Sequence, residues 1–271
     1  MGRPRPVREV MELLGSNPLI CMPIDASNPE KNYGTGGDFT LNGGGLQGSR
    51  GMSEYITRSA RFLNGGNNLS LSLVSPPIDN KCTMVFATKP LSGSPYSLNI
   101  GNNLIRVYYG TSFGILVDFG SALATGYMEP KPVIGEFCVL LLSYNGDTQT
   151  LNAYINGVQA TVSPTTTSDN VDMTGLQAVL GGVAGNDTDS YSCISYFTTD
   201  YIDFSQEENR NLFVNQLGYP RDLKPLIEEG TIPEPLIYLP FDEPDNLGKN
   251  LGTGGDFTIN GVITQGEDFN L

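Results

Sequence analysis

The stretch EFCVLLLSYNGDTQTLNAYINGVQATV, residues 136–162, carries the strongest strand signals in the chain. Its first part, up to Tyr144, is almost continuously apolar, which is typical of a strand covered on both faces. The dipeptide Asn156-Gly157 tolerates the two positive φ angles of a type I′ turn. Between Tyr144 and Asn156, apolar residues alternate with polar ones, as in a strand with one buried face. The apolar residues of this alternation are Leu151, Ala153 and Ile155. The stretch therefore predicts consecutive antiparallel strands at the centre of a sheet.

Further strand-like runs lie before this stretch: CTMVFATKP (residues 82–90), NLIRVYYG (residues 103–110) and FGILVDFG (residues 113–120). The chain is also rich in turn residues, with 33 Gly and 18 Pro among 271 residues. Many short strands joined by turns are therefore expected, and the predicted fold class is all-β, an antiparallel β-sandwich. The residues predicted to lie buried between its two sheets are Phe86, Phe137, Val139, Leu141, Leu151, Ala153 and Ile155.

The sequence divides into three predicted regions. Residues 1–17 form an arm with a short helix, which is either a frayed tail or docks on a partner protein. Residues 18–225 form the main domain. Residues 226–271 form a Pro-containing linker and an acidic segment with nine Asp or Glu against one Lys. The helix in the arm is predicted from the 3.6-residue spacing of Val7, Val10, Met11 and Leu14.

A second helix is predicted after Phe204. Ser205 and Glu208 match a capping box, and Gly218 followed by Pro220 is a stop signal. The apolar face of this helix is expected to consist of Leu212, Phe213 and Leu217.

The clearest internal feature is a repeat. The sequence PLICMPIDASNPEKNYGTGGDFTLNG (residues 18–43) returns as PLIYLPFDEPDNLGKNLGTGGDFTING (residues 235–261), with 10 identities in the last 12 positions. In each copy the Gly-Gly pair predicts a tight turn in which the following Asp caps backbone amides. Neither copy has the lysine of a phosphate-binding P-loop. The first copy is expected to open the sandwich.

The second copy of the repeat is expected to need a cover for its apolar side, because its apolar residues alternate at strand spacing. We expect it to lie at a subunit or partner interface, and packing on its own domain is the alternative. The predicted interface residues are Ile237, Leu239, Phe241, Asp256 and Phe257.

Charge and composition exclude several classes of function. The 15 Lys and Arg against 29 Asp and Glu give a formal charge of −14, and the chain has no His. A charge of this sign repels nucleic-acid phosphates and anionic lipids, so neither is an expected partner. Without His, a Ser-His-Asp hydrolase or a His-containing zinc site cannot form. No signal peptide and no stretch of ~18 apolar residues is recognisable, so synthesis in a cytoplasm without membrane insertion is expected.

Four cysteines, Cys21, Cys82, Cys138 and Cys193, stand far apart in apolar runs, without a C-x-x-C pair. We expect them to be buried thiols that pack as small apolar side chains, and disulfides are the alternative.

Candidate sites for chemistry are sparse. Asp118 is isolated, and Asp200 and Asp203 flank an aromatic pair, so no strand carries the paired carboxylates of a glycosidase. We therefore expect no catalysis. Calcium is the one cofactor that the sequence could hold, because the loop of residues 184–190 offers hard oxygen ligands at alternating spacing, and residues 24–30 are a second option; an ordinary polar loop is the alternative. The predicted metal ligands are Asn186, Asp187 and Asp189.

Surface aromatics could instead bind a sugar by stacking on its ring. The candidates for this role are Tyr108, Tyr109 and Tyr127.

Several segments, taken in chain order, resemble the laminin-G-like, concanavalin A-like jelly roll. LICMPID with its glycine-rich loop, and then RFLNGGNNLSLS (residues 61–72), resemble the opening strands of that family, and CTMVFATKP resembles the strand that ends in Lys-Pro. Residues 134–159 are similar to its central hairpin. LQAVLGG (residues 176–182) and residues 191–213 resemble its last strands and short helix. The resemblance covers about residues 18–217 and implies a jelly-roll β-sandwich.

The GTGGDFT element before the sandwich and again in the acidic C-terminal segment resembles jelly-roll proteins of tailed-bacteriophage virions. This resemblance implies a virion structural protein, either a capsid decoration or a fibre- or tail-associated subunit, made in the host cytoplasm. Its expected partners are other virion proteins and further copies of itself, with glycan adhesion as an additional role. The first alternative is a stand-alone carbohydrate-binding, lectin-like module, and the second is a glycan-cleaving enzyme.

Overall fold

Two antiparallel sheets of eight strands each form a jelly-roll sandwich in the described part of the chain. The computed structural model describes residues 58–63, 65–73, 80–92, 96–101, 105–110, 114–119, 126–129, 133–162, 170, 172–182, 189–215 and 219–267. These residues belong to one compact unit, Tyr55–Leu271. The predicted arm helix, Cys21 and the first copy of the repeat lie outside the described residues.

The first sheet has the strand order β10-β9-β8-β3-β13-β1-β16, and β14 also pairs with β13. Its strands are β1 (Ala60–Phe62), β3 (Lys81–Ser92), β8 (Cys138–Asn145), β9 (Thr150–Ile155), β10 (Val158–Gln159), β13 (Asp189–Thr198), β14 (Ile237–Leu239) and β16 (Ile263–Gln265).

The second sheet has the order β11-β7-β6-β5-β4-β12-β2-β15. Its strands are β2 (Asn68–Ser72), β4 (Tyr96–Ile100), β5 (Ile105–Gly110), β6 (Gly114–Phe119), β7 (Gly126–Glu129), β11 (Thr161–Val162), β12 (Gln177–Gly181) and β15 (Thr258–Asn260).

The central hairpin forms as the sequence predicts. β8 pairs with β9 in register from Leu140↔Ile155 to Asn145↔Thr150. β8 is buried along all but its last residue, because it lies between two strands and both of its faces are covered. Asn156 and Gly157 have φ angles of 50° and 78°, as a type I′ turn between β9 and β10 requires.

The main core lies between the two sheets. Phe86, Ala153 and Ile155 from the first sheet share one buried cluster with Ile105 and Val107 from the second sheet. These three residues confirm the predicted core, and the partly buried Leu151 packs against the same cluster.

The prediction that Val139 and Leu141 lie between the sheets is wrong. Both are buried, but in a second cluster on the outer face of the first sheet, and Phe137 packs at its margin. Alternation along β8 is the reason, because Leu140 and Leu142 occupy the inner face and their neighbours must therefore occupy the other.

This second cluster is covered by residues 199–233, which we call the covering segment. Phe213 packs edge to face on Phe204 at a centroid distance of 5.4 Å and on Tyr196 of β13 at 5.3 Å. The Tyr196 hydroxyl donates to the Pro233 carbonyl over 3.0 Å, which holds the end of the segment against the sheet.

The predicted helix after Phe204 is shorter than expected. Helix α1 spans only Glu207–Arg210, its N-cap is Gln206, and no side chain caps it. Ser205 lies one residue before the N-cap, and its N–H donates to the Asp203 carboxylate over 2.9 Å. Of the predicted apolar face, Phe213 is buried and Leu212 is partly buried, both beyond the end of α1, while Leu217 lies outside the described residues.

One further short helix, α2 (Lys224–Glu228), follows within the covering segment. No helix in the described ranges has the length and apolar character needed to cross a membrane.

The described cysteines are buried free thiols: Cys82, Cys138 and Cys193. Burial raises the pKa of the Cys82 thiol, so this group is inert as a nucleophile. These three confirm the expectation of small apolar packing residues.

Candidate functional site

The second copy of the repeat lies on its own domain. β14 pairs with β13 of the first sheet, and β15 pairs with β2 of the second sheet. The apolar residues predicted at an interface are therefore covered within their own domain, which was the alternative to the expected subunit or partner interface. The residues buried in this way are Ile237, Leu239, Phe241 and Phe257.

Asp256 of the predicted interface set has a local role instead. Its carboxylate accepts from the Asn250 N–H over 3.1 Å and forms an ion pair with Lys249 at 3.2 Å. Both contacts favour the charged form and hold the pKa of Asp256 below its usual value. This is the amide cap that the sequence predicts after the Gly-Gly turn.

The predicted calcium ligands are only partly described. Asn186 and Asp187 lie outside the described residues. Asp189 is the first residue of β13, and its carboxylate forms an ion pair with Arg61 at 3.1 Å. Within the described ranges, no group of three or more His, Cys, Asp or Glu side chains is placed to hold a metal ion.

Asp200 and Asp203 accept hydrogen bonds from side chains of the same domain. The Thr198 hydroxyl donates to the Asp200 carboxylate over 3.2 Å. Asp203 accepts from the Asn152 amide at 3.2 Å and from the Tyr201 hydroxyl at 3.3 Å. Although burial opposes it, hydrogen bonding from Ser205 and its neighbours holds the pKa of Asp203 below its usual value. Both carboxylates act as acceptors that fix the start of the covering segment.

The outer face of the second sheet is more polar, on β2 and β12, than the apolar outer face of the first sheet. Leu69 and Leu71 of β2, and Ala178 and Leu180 of β12, are buried on the inner face. The residues between them on these two strands occupy the outer face; Ser70 and Val179 are half-buried, and Ser72 and Gln177 are exposed. Polar residues thus predominate on the outer face of these strands.

Three tyrosines hold paired register positions across β4 to β7 of this sheet. Ile105 and Val107 of β5 are buried on the inner face, so Tyr108 has the opposite phase. Tyr108 pairs with Tyr96 of β4 on one side and with Leu116 of β6 on the other. Leu116 in turn pairs with Tyr127 of β7. Residues paired directly across antiparallel strands share a face, so Tyr96, Tyr108 and Tyr127 lie in one line.

Tyr109 was predicted as a surface aromatic, but it alternates in step with the buried Ile105 and Val107 of β5 and so holds a position on the inner face. Its partners in register are Ile115 and, one strand further, Met128. Sequence reasoning missed Tyr96, because β4 has an irregularity between Tyr96 and Leu98 that shifts its register. The alternation of the sequence alone therefore assigns Tyr96 to the wrong face.

A second transverse row runs beside the tyrosines. Asn99 of β4 pairs with Arg106 of β5, and Arg106 pairs with Asp118 of β6. Asn, Arg and Asp residues thus hold adjacent register positions on the same face of the sheet, and Asn99 is buried there. Residues of these types donate and accept hydrogen bonds, which polar ligands with apolar patches require next to aromatic residues.

A pocket of about 400 Å³ lies on the other side of the sandwich, at α2. Tyr238 and Leu251 form its apolar part, and Lys224, Glu228 and Glu234 line it with charge. The Tyr238 hydroxyl donates to Asp222 over 2.9 Å and accepts from the Leu223 N–H over 3.0 Å. The polar groups of Tyr238 therefore already have partners within the chain.

Comparison with solved structures shows the same fold elsewhere. A heptameric SAP-like pentraxin from Limulus polyphemus matches with a TM-score of 0.52 and 10% identity, over 78% of this chain and 96% of the pentraxin chain. A proposed carbohydrate-binding protein from Bacteroides ovatus matches with a TM-score of 0.57 and 14% identity. The match covers 79% of this chain and 60% of the Bacteroides chain. No protein-family model and no curated protein sequence matches the chain.

Proposed function

We propose that this chain is a glycan-binding jelly-roll module that binds sugars on the outer face of its second sheet. The row of Tyr96, Tyr108 and Tyr127 carries the proposal. These tyrosines lie on β4, β5 and β7, and strands in a sheet are about 4.8 Å apart, so the row spans about 14 Å. A row of this length suits several sugar units of an extended chain.

The neighbouring row supplies the polar part of such a site. Sugars present hydroxyl groups at their edges and apolar C–H groups on their faces, so a site needs hydrogen-bonding side chains next to aromatic rings. Arg106 and Asp118 hold the required register positions. The fold that the chain shares with the Bacteroides ovatus protein supports the proposal, since that protein is itself proposed to bind carbohydrate.

A glycan array followed by titration calorimetry on the best glycan tests this proposal. Tyr108→Ala is expected to weaken binding at least tenfold, which corresponds to about 1.4 kcal/mol. Gln177→Ala is the matched control, because it changes an exposed residue of β12 on the same face but outside the row. Equal affinity of the Tyr108→Ala variant and the parent chain would exclude the tyrosine row as the site.

The finer proposal is that this module is a structural protein of a tailed-bacteriophage virion, made in the host cytoplasm and bound there to other virion proteins or to further copies of itself. Its support is the GTGGDFT element, which occurs twice in the sequence, at residues 34–40 and 252–258, and resembles elements of virion jelly rolls. Labelling purified particles with an antibody against the chain tests the proposal, and density at regular positions is expected. A chain that is absent from purified particles but present in the lysate would overturn it, and the glycan site would still stand.

We also propose that the module binds glycans without cleaving them. Asp200 and Asp203 are engaged as structural acceptors, and Asp118 is the one acid of the row beside the tyrosines. The glycan that gives the strongest array signal is therefore expected to remain intact after prolonged incubation with the chain. Release of reducing sugar that stops with Asp118→Asn would contradict this expectation.

A further inference from the structure

The pocket beside α2, which we call the α2 pocket, has an apolar floor and a charged rim. Its volume of about 400 Å³ lies within the range of small-molecule sites. The side chains of the floor are Ile227 of α2, Tyr238 and Leu251, and those of the rim are Lys224, Glu228 and Glu234. A ligand of this pocket therefore needs both an apolar body and a charged group.

The floor of the α2 pocket is fixed by hydrogen bonds of the chain itself. The Leu251 N–H donates to the Tyr238 carbonyl over 2.8 Å, and the Tyr238 N–H donates to the Asn250 side-chain oxygen over 2.7 Å. The Tyr238 hydroxyl is held by Asp222 and by the Leu223 N–H. The floor is therefore formed before any ligand arrives, and little conformational entropy is lost when a ligand binds to it.

A tight turn after α2 leads the chain back to the pocket. Gly230 has a φ of 70°, and its N–H donates to the Ile227 carbonyl over 3.0 Å. The buried Ile232 follows and anchors the returning chain in the second cluster. As a result, Glu234 lines the same pocket as the residues of α2.

The backbone on both sides of Glu234 is held in place. Glu234 lies between two prolines, and each proline ring fixes one φ angle. On one side, the Pro233 carbonyl accepts from the Tyr196 hydroxyl over 3.0 Å. On the other side, the Leu236 N–H donates to the Phe197 carbonyl over 2.9 Å. The Glu234 side chain thus extends from a rigid piece of backbone.

Glu234 is the unmatched charge of the α2 pocket. Lys224 and Glu228 form an i,i+4 ion pair on α2, with 4.0 Å between nitrogen and oxygen. The Glu234 carboxylate makes no hydrogen bond and no ion pair within the described part of the chain. Residues 222–251 around it hold seven Asp or Glu against two Lys, so the local potential is negative and attracts cations. The pocket therefore needs one positive charge from outside.

The lining of the pocket favours an organic cation over a metal ion. A calcium ion takes six to eight oxygen ligands, whereas the rim has two carboxylates and one of them is paired with Lys224. An ammonium group on an aliphatic stem fits both parts of the lining. The charge can pair with a carboxylate while the methylene groups cover apolar side chains, as they do when a lysine lies along an apolar surface.

We propose that the α2 pocket binds a primary ammonium group on an aliphatic stem, with the ammonium at Glu234 and the stem on the apolar floor. A free alkylamine and the lysine side chain of a partner protein present this same chemistry. The inference does not depend on glycan binding. Tyr238 belongs to the cluster on the outer face of the first sheet, whereas the tyrosine row belongs to the second sheet.

The test is an NMR titration of the full-length chain with n-hexylamine, which is a cation at neutral pH. Saturable binding is expected, and Glu234→Gln should weaken it at least fivefold. Glu234 is exposed, so this variant should keep the melting temperature of the parent chain. Glu229→Gln is the matched control, because it removes the same charge from an exposed residue at the end of α2 outside the pocket. Equal losses in the two variants would overturn the proposal, since the acidic surface as a whole would then attract the amine.

Two further probes separate the charge from the stem. 1-Hexanol has the stem without the charge, and methylamine has the charge without the stem. Each is expected to bind at least tenfold more weakly than n-hexylamine. Binding of either probe as tight as that of n-hexylamine, or a lack of saturable n-hexylamine binding, would overturn the proposal.

A lysine peptide distinguishes the two sources of the ammonium group. Acetyl-Gly-Lys-Gly-amide is titrated against the same chain, and its binding is expected to depend on Glu234 as that of n-hexylamine does. Tighter binding of the peptide than of n-hexylamine identifies a protein lysine as the ligand, and the reverse order identifies a free amine. Tyr108→Ala is expected to leave n-hexylamine binding unchanged, so the outcome here is separate from that of the glycan site.

Discussion

The two sheets of the sandwich differ in what lies on their outer faces. The first sheet carries a second apolar cluster there, in which Val139, Leu141 and Cys193 pack beneath the covering segment. On the second sheet, the described outer residues of β2 and β12 are mostly polar, and the register places three tyrosines in one row. Both inner faces contribute to the main core, so the outer faces distinguish the sheets: the first is packed beneath the covering segment, and the second carries the proposed binding surface.

The largest difference between the sheets is expected from Phe213→Ala. Phe213 is fully buried and contacts both Phe204 and Tyr196, so its removal leaves a cavity and should lower the free energy of unfolding by about 3–5 kcal/mol. Urea denaturation measures this loss. Gln177→Ala on the second sheet should change it by less than about 0.5 kcal/mol. Similar losses for both variants would abolish the distinction between the two faces.

A smaller loss is expected from Tyr238→Phe. Without the hydroxyl, the buried Leu223 N–H loses its acceptor and Asp222 loses a donor, which should cost about 1–3 kcal/mol of unfolding free energy. Burial and the nearby Asp222 raise the pKa of this hydroxyl, so it donates at all ordinary pH values. Tyr154→Phe is the control, since the Tyr154 ring lies beneath the Arg210 guanidinium at 4.3 Å and its hydroxyl makes no hydrogen bond to a described residue. Equal effects would mean that the covering segment does not need the Tyr238 hydroxyl.

Adjacent tyrosines of β5 allow the comparison to be made within one strand. Tyr109 has the inner phase and Tyr108 the outer phase. Tyr109→Ala is therefore expected to lower the free energy of unfolding by about 1 kcal/mol or more, while Tyr108→Ala should change it by less than about 0.5 kcal/mol. Thermal melts of the two variants measure this contrast, and the reverse order would show that the register of β5 is shifted by one residue.

The smallest effect concerns acid stability. The pKa of Asp256 is lower in the folded chain than its ordinary value of 3.8. The charged carboxylate therefore contributes its full stabilisation of the fold above pH 3.8, and this stabilisation is lost as the pH falls through the folded pKa. Melting temperatures of Asp256→Asn are expected to fall less steeply than those of the parent chain below about pH 4. The effect is small because the carboxylate is exposed and screened by solvent. Asp245→Asn is the control, because it removes a charge from the same loop but no capping contact. An identical change in the pH dependence of melting in this variant would contradict the capping role of Asp256.

Local signals in the sequence were sufficient for the central hairpin. The alternation of β9 and the Asn156-Gly157 turn act within a few residues, so they can be recognised without knowledge of distant contacts. The continuous apolar run of β8 carried less information, because it shows that both faces are covered but not which element covers each. Hence Val139 and Leu141 were assigned to the wrong face.

Long-range features were less accessible from the sequence. The sequence shows that residues 235–261 have one apolar side, but their partners β13 and β2 lie far away along the chain. The sequence pattern is therefore the same whether this side packs on its own domain or on a neighbouring subunit. The tyrosine row was only partly predictable for a similar reason. Tyr108 and Tyr127 follow from alternation, while Tyr96 depends on the irregularity of β4, which three-dimensional pairing creates. Helix α1 begins after Gln206 and not after Ser205, and no side chain caps it.

The pairing of β15 with β2 has a consequence for synthesis of the chain on the ribosome. The Val262 N–H and the Asn67 side chain that accepts from it are 195 residues apart. At about 5–20 residues per second, the edge of β2 waits about 10–40 seconds for its partner strand to be translated. During this time, an unpaired edge is open to association with other nascent chains. The sandwich is thus completed only after residue 262 has been translated, and a chaperone that shields this edge should increase the yield of folded chain.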